Sequence, residues 1–140
     1  MNTKLSKKLH ERFPYFKGHY GWGLPFECGD GWFQLIWDLS EELEQIAKEE
    51  EIELYVSQVK SKYGTLRYYM GAETDRMSDA IDKYEEISAH TCEICGREGH
   101  LAIYKGWYDT LCYWHWFKLK FNDKWNRIKH RIKSLTSKHK

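Results

Sequence analysis

Cys92, Cys95, Cys112 and His115 form two close pairs, Cys-x2-Cys and Cys-x2-His, separated by sixteen residues. Three thiolates and an imidazole at this spacing make a complete tetrahedral ligand set for Zn2+, each pair chelating from one local turn. Four protein ligands leave no position for water or substrate, so the site reads as structural and no catalytic residue is assigned to it. Gly96 follows the second cysteine, where the chain must turn sharply under the metal.

Three other groups have chemistry to weigh. Cys28 lies in Glu27-Cys28-Gly29-Asp30-Gly31-Trp32, with His19 upstream. A nucleophilic thiol needs a cationic setting, and two neighbouring acids oppose thiolate formation, so a glycine turn with Cys28 packed among rings is the better reading. Gln58-Val59-Lys60 has the acceptor-x-Lys form of some metal-dependent nucleases, but the element predicted before it is a helix, which supplies no acidic ligand from a neighbouring strand. His90 and His100 flank the cysteine pair without the His-His or Asp-His pair that a second, catalytic metal would need.

The elements that position these residues follow from periodicity. A short basic helix is predicted over 4–12, closed by Pro14. After a glycine-rich aromatic loop, Asp30 is placed to cap a helix whose Trp32, Leu35, Ile36, Leu39, Leu43 and Ile46 share one face. Alternation over 54–59 and 66–70 around Lys62-Tyr63-Gly64-Thr65 predicts a β-hairpin. Residues 73–89 return to helical spacing and lead into Cys92. A short hairpin turning at Gly106 then delivers Cys112 and His115 to one face of a final helix. Knuckle, hairpin and helix in this order resemble a treble clef.

Along that last helix Trp114, Phe117, Phe121, Trp125, Ile128, Ile132 and Leu135 lie within about 40° of one line, and this stripe is expected to pack on the body. The remaining faces are basic: residues 116–140 hold nine Lys and Arg against Asp123 alone, hidden in a chain total of +1. Lys120, Lys124, Arg127 and Arg131 are candidate phosphate contacts, and Trp116, about 140° from the stripe, is a candidate stacking surface. With the stripe assigned to the core, a membrane-surface role is set aside. The counterweight is residues 38–53, eight carboxylates against Lys48, and the alternative reading of the basic helix is a solvated face whose charge this segment partly neutralises.

Pro25-Phe26-Glu27-Cys28-Gly29-Asp30-Gly31-Trp32, then Gln58-Val59-Lys60-Ser61-Lys62-Tyr63-Gly64-Thr65-Leu66-Arg67-Tyr68-Tyr69, then Thr91-Cys92-Glu93-Ile94-Cys95-Gly96 resemble, in order, the motifs of a family of small uncharacterised phage and prophage proteins. The similarity spans residues 14–115. It implies an accessory role in a bacterial virus or its host's cytoplasm and carries no reaction. The basic extension beyond His115 lies outside the pattern.

At 140 residues with seven Trp and ten Tyr, the chain has rings enough for a folded core. No apolar run follows the basic residues near the start or reaches bilayer length, so a cytoplasmic protein is expected. The fold expected is α+β: residues 1–90 form a body with a central hairpin packed by helices, and residues 91–140 a zinc-binding hairpin ending in a long basic amphipathic helix. The function expected is non-enzymatic binding, to nucleic acid or to a host protein that handles it, an inhibitor of a bacterial defence system being one such case. The alternatives are a metal-dependent nuclease and a protein-interaction module without nucleic-acid contact.

Overall fold

The computed structural model describes the backbone of residues 1–17 and 23–136, and the side chains of 1–17 and 23–124. His19 and the side chains of Arg127 and Arg131 lie outside the described residues. The fold is α+β. In chain order the elements are α1 (Thr3–Arg12), β1 (Phe26–Glu27), α2 (Phe33–Glu50), β2 (Val56–Lys62), β3 (Thr65–Met70), α3 (Asp75–Ser88), β4 (His100–Tyr104), β5 (Trp107–Leu111) and α4 (Tyr113–Thr136).

Local chemistry explains most boundaries. Asn2 caps α1 by accepting from the Leu5 N–H, and the helix stops before Pro14. Thr74 caps α3 through the Met77 N–H. Both hairpins turn on two consecutive left-handed residues, Tyr63-Gly64 (φ 53° and 80°) and Lys105-Gly106 (φ 50° and 84°). That is the tight reversal whose twist matches paired strands. Asp30 does not cap α2: the N-cap position is Trp32, which makes no side-chain capping bond. Its carboxylate instead accepts from the backbone N–H and side-chain amide of Asn2, both at 2.6 Å, tying α1 to the glycine loop.

β2 is central in a three-stranded sheet, antiparallel to β3 and parallel to β1, with Phe26 opposite Val59 and Glu27 opposite Lys60. The element beside Gln58 and Lys60 is therefore a strand carrying an acid, contrary to the expectation from sequence. A two-residue strand has no period to read, and pairing alone defines it. The inner sheet face, Val59, Leu66 and Tyr68, is buried against the apolar faces of α2 and α3 together with Phe13, Phe16 and Trp32. Ser88 Oγ accepts from the Leu66 N–H at 2.8 Å, fastening α3 to β3.

A second, smaller apolar cluster lies beyond residue 90: Cys92, Ala102, Leu111 and Cys112, with Trp116 and Leu119 packed on it. Here α4 contradicts the expected face. Trp114, Phe117 and Phe121 are 54, 49 and 55% exposed, while Trp116 turns inward and meets Tyr104 edge-on at 6.2 Å. The cause is the ligand pair. Cys112 and His115 must face the cluster, which at 100° per residue brings Trp116 and Leu119 with them and carries the apolar stripe to about 180° away. The rest of the stripe, Trp125 to Leu135, lies outside the described side chains.

Candidate metal centre

Backbone hydrogen bonds build the first ligand pair. Cys92 N–H donates to Arg97 O at 2.7 Å, and Gly96 N–H to Cys92 O at 2.8 Å, closing a loop that Gly96 completes with φ 74°. The second pair opens α4: Cys112 immediately precedes it, and the Trp116 N–H donates to Cys112 O at 3.0 Å. The donor atoms of Cys92, Cys95, Cys112 and His115 all lie within 4.8 Å of one another, and all three cysteines are free of disulfides. Cys95 and Cys112 sulfurs are 3.8 Å apart, and His115 Nδ1 is 3.2 and 3.5 Å from Cys112 and Cys92. The His115 backbone N–H and imidazole lower the Cys112 thiol to about 6, favouring the thiolate that a cation requires. The four residues thus form one cluster able to hold a metal ion.

The motif around Cys28 turns out to be the seat of this knuckle. Gly31 N–H donates to Glu93 O at 2.8 Å, and the Trp32 indole N–H to Thr91 O at 2.8 Å. A β-carbon on Gly31 would stand 2.2 Å from Cys92 O, and one on Gly29 2.2 Å from Glu93 O, so both glycines are needed for backbone to lie on backbone. Glu93, between the two cysteines, accepts from Gly29 N–H at 2.9 Å and Ser61 Oγ at 3.0 Å, joining loop, β2 and knuckle. Burial raises its carboxyl above the usual range. The sequence signal for this role was an acid enclosed by a Cys-x2-Cys pair opposite a double-glycine motif.

The other candidates disperse. Cys28 is buried, and burial pushes its thiol up to about 12, with Glu93 and Asp30 adding to the rise. His90 is exposed beside Glu86. His100 borders an apolar pocket of about 230 Å³ formed with Leu101, Ile103, Leu111 and Trp116, which has no acidic lining. Glu27 accepts from the Gln58 side chain at 3.4 Å on the open face of the sheet, and Lys60 lies over the Tyr69 ring. Among the described residues, the cluster around Cys92 is the one group of three or more His, Cys, Asp or Glu placed to share an ion.

On α4, Lys120 and Lys124 are exposed along one margin, with Lys120 Nζ 4.4 Å from the Trp116 ring centroid. Trp116 is therefore half-buried beneath a lysine, unlike the open stacking surface expected. Asp123, the one acid of residues 116–140, pairs with Lys105. The acids of α2 are held elsewhere: Glu41 and Glu44 by Arg12, Glu42 by Lys83, Glu49 and Glu50 by Arg76, while Asp38 accepts from the Gln34 side-chain amide. Among the described residues no carboxylate pairs with Lys118, Lys120 or Lys124, and no helix is long and apolar enough to cross a membrane. No family model, curated protein or solved structure matches the chain.

Proposed function

We propose that this is a non-enzymatic binding protein of the phage and prophage type, stapled by a structural zinc in a treble-clef-like unit. It acts in the host cytoplasm on nucleic acid or on a host protein that handles it. Zinc is supported by the donor set and by size: a tetrahedron with zinc–sulfur bonds of about 2.3 Å has an edge of about 3.8 Å, the distance separating Cys95 and Cys112. The observation that carries the binding reading is the division of charge. Five of the six acids of α2 pair with cations of the body, leaving the basic margins of α4 for an external anion.

Affinity capture from bacterial lysate, with and without nuclease treatment, tests this reading. Nucleic acid as ligand predicts capture that nuclease abolishes and an affinity falling steeply with salt; a host protein predicts capture that survives nuclease. Recovery of neither rejects the reading. Glu27 beside Gln58 and Lys60 favours the metal-dependent nuclease as the second reading, since the acid on a neighbouring strand is present. Among the described residues Glu27 belongs to no group of three or more His, Cys, Asp or Glu placed to share an ion, and Mg2+-dependent cleavage lost on Glu27→Gln would establish this second reading over the first.

A further inference from the structure

Phosphates would use the basic margins of α4 and leave its apolar stripe unexplained. Trp114, Phe117 and Phe121 are each about half exposed and follow one another ring on ring, with centroids 6.5 and 6.1 Å apart. They face about 180° from Cys112, away from the hairpin that anchors the helix. In the sequence the spacing continues through Trp125, Ile128, Ile132 and Leu135. Drawn at 100° per residue the sector is about 80° wide, nearer the narrow seam of a coiled coil than the broader face of a helix lying on an apolar layer.

Charge then selects the occupant. Lys120 and Lys124 border the stripe on one side and Lys118 on the other, the positions whose charges choose a coiled-coil partner. Two copies packed through this seam would set lysine against lysine along both margins. The acidic helix of the chain itself is unsuitable, because the apolar face of α2 is already in the core. Residues 116–140 carry +8, so residues 1–115 carry −7 within the chain total of +1. A broad anionic sheet such as a membrane would meet that acidic body as well as the helix. We infer that α4 is a docking element for an acidic amphipathic helix of a partner protein, its apolar seam against Trp114, Phe117 and Phe121 and its carboxylates against the flanking lysines. This inference rests on the binding-protein reading above and names the partner's chemistry.

The test uses the full-length, zinc-loaded chain and a synthetic four-heptad peptide with Leu at the seam and Glu at the flanks, beside a control with Lys at the flanks. A single-stranded DNA oligonucleotide and vesicles containing phosphatidylserine complete the set. The Glu peptide should bind at least about tenfold more tightly than the Lys peptide. Phe117→Gln with Phe121→Gln should weaken it by about tenfold or more while zinc content is retained and oligonucleotide affinity stays within about twofold. Equal affinity for the two peptides, indifference to the double substitution, or binding of vesicles without the Glu peptide overturns the inference. If the oligonucleotide or a lysate partner still binds when the Glu peptide does not, the inference alone falls. If nothing binds, the binding-protein reading falls with it.

Discussion

Gly31 shows how little space separates the body from the knuckle: an added methyl would stand 2.2 Å from the Cys92 carbonyl oxygen and 2.5 Å from the Gly96 nitrogen. Gly31→Ala should therefore cost about 2–3 kcal/mol, typical of overpacking against atoms that cannot yield, and should lower metal retention with it. Thermal unfolding and zinc content measured on one preparation check this; an unchanged pair of values refutes it. Cys28 makes a different prediction. Its folded thiol at about 12 lies above the ordinary 9.0, so the unfolded chain ionises first as pH rises. The contribution to stability is full below pH 9 and is lost between 9 and 12. Native protein at pH 8 should leave Cys28 unlabelled by a thiol reagent, read by mass spectrometry, and Cys28→Ala should flatten the alkaline loss of stability.

The four candidate ligands join elements that share only a small apolar cluster. The cluster beyond residue 90 buries Cys92, Ala102, Leu111 and Cys112, two of them candidate metal ligands and one an alanine. A core this small cannot stand without its staple. Chelation of the metal, or Cys112→Ser, should release β4, β5 and the start of α4, while the buried sheet residues of the body, Val59 and Leu66, keep their amide protection. Hydrogen exchange resolved by residue distinguishes this from global unfolding, which would show that Glu93 and the glycine cradle make one cooperative unit. The same ligands aim α4. Because Cys112 immediately precedes α4 and His115 lies in its first turn, their direction sets the rotation of the helix, and the aromatic stripe follows on the far side.

Across the whole molecule, charge is sorted into an acidic body, in which five acids of α2 pair with Arg12, Arg76 and Lys83, and a basic helix of which Lys118, Lys120 and Lys124 pair with no carboxylate among the described residues. If nucleic acid is the ligand, replacing Lys120, Lys124, Arg127 and Arg131 with Gln should leave the fold intact and reduce the slope of log affinity against log salt by about one unit for each phosphate contact removed. Sequence preference should change little, since such contacts position the protein without reading bases. A quadruple variant that binds single- and double-stranded DNA and RNA as the parent does would rule out these four side chains as the contact surface.

The spacing of Cys92, Cys95, Cys112 and His115 identified the metal cluster from the chain alone, because chelation from two tight turns is a local demand. Gly64 and Gly106 marked the hairpin turns for the same reason, as both occupy left-handed backbone. What the sequence left undecided was whatever depends on a distant partner. β1 exists because Phe26 and Glu27 lie beside Val59 and Lys60, and the glycines of the Cys28 motif matter because residues 92–96 press on them. Apolar periodicity located the stripe on α4, but periodicity fixes only which residues share a face. Which face turns inward was decided where the helix begins: Cys112 and His115 are gathered with Cys92 and Cys95 toward the hairpin, which leaves Trp114, Phe117 and Phe121 to the outside.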